Sequence, residues 1–178
     1  MRIKKIAAVC KNRGQARLLD YTDSDGVVHQ WISTGVSAYP VEKLPFLTEQ
    51  QMAAVLDIGE KQLQKMMIGH DDAPATIDFT DTADGEIMAE ELPFSAVFGG
   101  KVYLVYIVKG ETVFIDFELM MPIAAEYKDV TLWRRQAEGG MVYYAAKAGL
   151  LCVGLIWPMR DMDDLAEHLE HAGTCYRA

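Results

Sequence analysis

Ala16-Arg17-Leu18-Leu19-Asp20-Tyr21-Thr22-Asp23-Ser24-Asp25-Gly26-Val27-Val28-His29-Gln30-Trp31-Ile32-Ser33-Thr34 decides the reading of the fold. Two apolar runs of strand length flank a turn rich in Asp, Ser and Gly. Gly26 tolerates positive φ, and the second run is dense in β-branched and aromatic residues. The stretch predicts an antiparallel hairpin, Ala16–Thr22 with Val27–Thr34. Asp23-Ser24-Asp25-Gly26 also resembles the start of a calcium loop, but Gly stands fourth instead of sixth and Val27-Val28 follow, so the turn reading prevails.

Working outward, Lys5–Lys11 reads as a strand before this hairpin, and Trp31–Val41 continues extended to Pro40. Thr48-Glu49-Gln50-Gln51 has the form of a capping box and opens a helix carrying Met52, Val55 and Leu56. A short helix over 60–68 follows, with Gly69 as its stop. Ala75–Thr80 alternates and predicts a strand, and Asp81–Glu91 predicts an acidic loop. From Phe94 the pattern is a meander, with turns at Gly99-Gly100, Lys109-Gly110, Gly139-Gly140 and Gly149. Asp161 is placed to cap a last helix with Met162, Leu165, Ala166 and Leu169.

The expected fold class is α+β: antiparallel meander sheets of about nine strands with about three helices. Three strands, an aromatic-Pro-apolar triplet (Tyr39-Pro40-Val41, Trp157-Pro158-Met159) and a capped helix occur twice. That echo, set against the plain strand-ending habit of Pro, divides the 178 residues into one domain or into two similar lobes near 1–70 and 92–178 joined by an acidic segment at 71–91.

Composition is globular: 51% hydrophobic and 24% charged. The 26 acids against 17 Lys and Arg give a net charge of −9, unsuited to coating a polyanion. The charge is polarised. Residues 1–19 hold six basic groups and no acid, and residues 57–91 hold ten acids against Lys61 and Lys65. No apolar stretch reaches membrane-spanning length and none follows the basic start as a secretory signal requires. The three Cys (Cys10, Cys152, Cys175) are widely spaced, so a cytoplasmic location is expected.

Several groups invite chemistry. His168, His171 and Cys175 share a helical spacing suited to Zn²⁺ but lack a fourth neighbouring ligand. His70-Asp71-Asp72 reads as a solvated loop, and the acids Asp78, Asp81, Asp84, Glu86, Glu90 and Glu91 as a solvated segment or a cation site. Asp116 with Glu126-Tyr127-Lys128 matches the Asp…Glu-x-Lys pattern of restriction-type nucleases, in which two carboxylates hold Mg²⁺ and the Lys helps activate water; Asp116, Glu126 and Lys128 would be catalytic. Lys4, Lys5, Lys11, Arg13 and Arg17, with Tyr21 and Trp31 near, form a basic hairpin suited to a local nucleic-acid contact. Phosphate-loop, dinucleotide, serine-elbow and zincin motifs do not occur.

The segments Gln30-Trp31-Ile32, Ala38-Tyr39-Pro40, Leu44-Pro45-Phe46-Leu47-Thr48 and Tyr144–Gly149 give the chain a look that resembles uncharacterised prophage and mobile-element proteins of gut Firmicutes. Ile156-Trp157-Pro158-Met159-Arg160 is locally similar to the end of bacterial sliding clamps. Neither likeness implies a functional residue. The expected function is a non-enzymatic binding or assembly module, mobile-element encoded and linked to DNA replication or packaging, with a protein partner or self-association, no cofactor and no membrane. The alternative is the metal-dependent nuclease.

Overall fold

The computed structural model describes residues 2–159. Their elements run α1 (Arg2–Arg13), β1 (Gln15–Thr22), β2 (Val28–Ser33), β3 (Ser37–Pro40), α2 (Glu49–Val55), α3 (Glu60–Leu63), β4 (Met67–Asp72), β5 (Ile87–Met88), β6 (Glu90–Phe98), β7 (Lys101–Val108), β8 (Glu111–Asp116), α4 (Phe117–Ala124), β9 (Val130–Gln136), β10 (Val142–Ala148) and β11 (Leu151–Ile156). The expected final helix at 162–169 and the His168, His171, Cys175 group lie outside the described residues.

The hairpin forms as its sequence dictates. β1 and β2 pair antiparallel from Arg17 with Ser33 to Thr22 with Val28. Asp23 Oδ1 accepts from the amides of Asp25 and Val27, so its carboxylate serves the turn. Thr48 and Gln51 make the capping box on α2.

The strands form an eight-stranded sheet, ordered β4-β1-β2-β3-β11-β10-β9-β5, and a three-stranded sheet, β6-β7-β8. The fold is thus α+β, but the large sheet is mixed, because β4 pairs parallel with β1. Its inner face (Leu18, Ile32, Tyr39, Leu132, Tyr144, Val153, Ile156) packs on α1, α2, α4 and the small sheet in the main core. Its outer face (Trp31, Ala38, Tyr143, Ala145, Leu155) packs on Ile77 and Phe79.

Four expectations need correction. Lys5–Lys11 is not a strand but part of α1: Ile3, Ile6, Ala7 and Cys10 recur at helical spacing and turn inward to the core. The second helix ends at Leu63, and Gly69 lies within strand β4 instead of stopping a helix. The stretch 75–80 is not a strand but part of a loop laid across the outer face. The acidic segment 81–91 is not all loop, since β5 and the start of β6 fall inside it.

The expected echo of three strands, triplet and capped helix is not what repeats, because its first strand is α1 and its second capped helix lies outside the described residues. A helix followed by a three-strand meander occurs twice instead, α1-β1-β2-β3 and α4-β9-β10-β11, within one sheet. The two meanders meet antiparallel where Ala38 faces Leu155. A two-fold axis at that pair carries Tyr39 onto Ile156, Ile32 onto Tyr144 and Ala16 onto Leu132, every one of them on the inner face. The helices α1 and α4 pack on each other over the same region.

Candidate functional site

β3 leaves the sheet at Pro40, and this short strand opens a gap between β2 and the start of β11. β3 pairs with β11 only at Ser37 with Ile156 and Ala38 with Leu155; the same register continued by two residues would bring Pro40 to Val153, where Pro40 has no N–H to give. Arg2 supplies the missing donor from below: its Nη2 lies 2.5 Å from the Val153 carbonyl oxygen. From above, Asp81 Oδ1 accepts the Cys152 amide at 2.7 Å. Side chains from two distant segments therefore satisfy the backbone that β3 abandons.

Above this gap lies a cleft of about 480 Å³. Tyr21, Trp31, Phe46 and Phe79 supply aromatic walls, and Asp23, Glu42 and Asp81 supply carboxylates; among the described residues no Lys or Arg lines it. Tyr21 stacks on Phe79 with centroids 5.5 Å apart, and Trp31 meets Phe79 edge-on at 5.1 Å. Phe46 is 61% exposed at the rim. His29 Nε2 lies 2.8 Å from Asp23 Oδ2. That hydrogen bond, with the Val27 amide, holds the Asp23 carboxyl below its ordinary pKa. Gln30 fixes the rim loop by exchanging two hydrogen bonds with the Leu47 backbone. Cys152 lies at the floor, and burial pushes its thiol up to about 11, so it remains protonated at neutral pH.

A buried ion cluster anchors the loop that closes one side. Arg135 donates to the carbonyl oxygens of Asp78, Thr80 and Asp81 and to Glu86. Lys147 pairs with Glu86 and stands 4.9 Å above the Trp133 ring. Burial raises the Glu86 pKa, but the hydrogen bonds from Lys147 and Arg135 outweigh it and hold the carboxyl below its ordinary value.

The residues singled out in the sequence fall elsewhere. Asp116 is buried and caps α4; its Oδ1 accepts the Glu118 amide, and its Oδ2 faces Arg13 at 2.5 Å and Lys101 at 3.5 Å. Glu126 lies beyond the other end of α4, between Arg2 at 3.8 Å and Lys43 at 3.4 Å. The helix of eight residues spans about 12 Å, so Asp116 and Glu126 are not brought together, and Lys128 stands in the turn before β9. No group of three or more metal-competent side chains converges among the described residues.

Lys4, Lys5, Lys11 and Arg13 lie on α1 and Arg17 on β1, so the basic hairpin is a helix and a strand. Lys11 donates to the Asp57 carbonyl at 2.6 Å, Arg13 pairs with Asp116, and Arg17 Nε lies 3.4 Å from Asp71. Lys4 is exposed and Lys5 half-exposed. Tyr21 and Trp31 face the outer cleft, not this basic region. Sequence reasoning missed the cleft; its readable trace was the aromatic content of Gln30-Trp31-Ile32 and the apolar Leu44-Pro45-Phe46 run so near Pro40.

No family model, curated protein or solved structure matches the chain. No helix of the described residues is long and apolar enough to cross a membrane.

Proposed function

We propose that this protein is a binding module whose outer cleft accepts a cationic segment of a partner protein. The observation that carries the reading is the composition of the cleft: four aromatic rings and three carboxylates around one cavity, with no lining Lys or Arg among the described residues. Aromatic faces attract guanidinium and ammonium groups, and nearby carboxylates add charge-assisted hydrogen bonds. Asp81 uses one oxygen on the Cys152 amide, leaving Oδ2 for a guest. The walls come from β2, the rim loop and the loop over the outer face, each fixed by its own hydrogen bonds, so the site is formed before a guest arrives. The likeness to prophage proteins is what would place the partner in a replication or packaging assembly.

Calorimetric titration with an oligo-arginine peptide tests this reading, with an oligo-glutamate peptide as control. Saturable binding of the first alone, weakened by salt and by Phe46→Ala, is expected. Equal binding of both peptides, or none of either, contradicts it.

A further inference from the structure

We propose that the protein self-associates by antiparallel pairing of β6 with β6 of a second copy, about a two-fold axis at Ala96. The evidence is separate from that for the cleft.

Among the described residues β6 is an edge of the small sheet, bonded to β7 on one side only. Its exposed side chains are apolar to an unusual degree: Val97 is 72% exposed, Phe98 55% and Phe94 51%. Glu90, Glu91 and Pro93 blunt the first half of the strand, as charge and Pro ordinarily do at an edge, but 94–98 carries neither, and its free N–H and C=O groups can accept another strand.

The turn sets which groups are free. Gly99 and Gly100 have φ of 57° and 76°, the signature of a two-residue type I′ hairpin. Such a turn closes on a hydrogen-bonded pair, here Phe98 with Lys101, and bonded pairs alternate along the ladder. Phe98 and Ala96 therefore direct their backbone groups at β7, and Val97 and Ser95 direct theirs outward. A two-fold axis at Ala96 sets Ser95 opposite Val97 of the second copy and Val97 opposite Ser95, which makes four hydrogen bonds. No other centre within 94–98 uses both outward residues of both strands.

The side chains agree with that register. Phe94 comes beside Phe98 of the second copy twice, a cross-strand aromatic pairing. Ala96 meets Ala96 at the axis, where the non-bonded spacing is closest and a small side chain fits. The β6 ladder shifts register between Glu91 and Ser95, and Pro93 in that stretch has no N–H, so pairing stops there; the glycine turn stops it at the other end. The pairing is isologous, so it closes as a dimer and does not propagate.

Sedimentation velocity on the full chain tests the proposal, with concentration varied over about two decades. The wild type is expected to shift reversibly from monomer to dimer. Val97→Pro removes two of the four intermolecular hydrogen bonds without touching a bond to β7, and is expected to weaken dimerisation by about thirtyfold. Phe94→Lys is expected to weaken it as well, with the thermal melt of each variant showing the fold retained. If Val97→Pro fails to fold, Phe94→Lys decides. A wild type monomeric at the highest concentration, or dimerisation unchanged in the folded variants, overturns the proposal.

Discussion

Arg2 and Val153 are bonded side chain to main chain, Nη2 to carbonyl oxygen at 2.5 Å, just beyond the last pair of β3 with β11, where β3 ends at Pro40, which has no N–H to donate. The same guanidinium faces Glu42 at 3.5 Å and lies over the Tyr127 ring. Its side chain is only 8% exposed. Replacing it removes the donor for a buried carbonyl and one partner of a charge cluster. Arg2→Met is expected to cost about 3 kcal/mol in urea denaturation. A loss within the range of ordinary surface changes would show that the strand gap needs no donor.

Gly154 and Ile123 make a second close relationship. A Cβ on Gly154 would stand 2.6 Å from Ile123 Cδ1, and Ile123 is fully buried beneath β11. Gly154→Ala is expected to cost about 2 kcal/mol by overpacking. Ile123→Val removes the opposing methyl, so the double variant should recover most of that loss; a double-mutant cycle by chemical denaturation measures it.

Glu86 joins Arg135 and Lys147 beneath the outer loop. Its folded pKa lies below the ordinary 4.5, so its contribution is complete above that pH and is lost as pH falls through the lower folded value. Melting temperature against pH should decline on the acid side, and Glu86→Gln should flatten that decline. At neutral pH Glu86→Gln leaves two buried cations without their anion and should cost about 3 kcal/mol.

Asp116 separates a structural carboxylate from a catalytic one. It caps α4 and neutralises Arg13 and Lys101. Asp116→Asn is expected to lower stability by about 2 kcal/mol through the lost ion pairs with Arg13 and Lys101, since Asn keeps an oxygen that caps α4, and Lys128→Ala to leave it unchanged. Mg²⁺-dependent cleavage of plasmid DNA, abolished by Lys128→Ala in a fully folded protein, would restore the nuclease reading.

The local features of the fold were legible in the residues that make them. The Asp23–Gly26 turn, the Thr48-to-Gln51 box and the glycine turn after Phe98 each act within a few positions, and each formed as read. α1 was misread because Ile6 to Cys10 is a short unbroken apolar run, which suits a strand as well as one helical face; the stripe through Ile3 and Cys10 decides only when the basic residues are assigned to the solvent side. β4 was missed because its pairing with β1 is parallel and non-local, and His70, Asp71 and Asp72 give it no strand pattern. The cleft was beyond reach for the same reason, since Trp31, Phe46, Phe79 and Asp81 meet only through the topology. The nuclease pattern was legible as a string, yet α4 intervenes between its two carboxylates.

The cleft is tested most directly by following the indole N–H resonances of the three tryptophans while an oligo-arginine peptide is added. Trp31 lines the cleft, whereas Trp133 lies under Lys147 and Trp157 stacks on Tyr143 away from it. A saturable shift of Trp31, with Trp133 and Trp157 unmoved, is the predicted result. A silent Trp31, or shifts confined to the other two, would contradict the assignment of the cleft as the binding site.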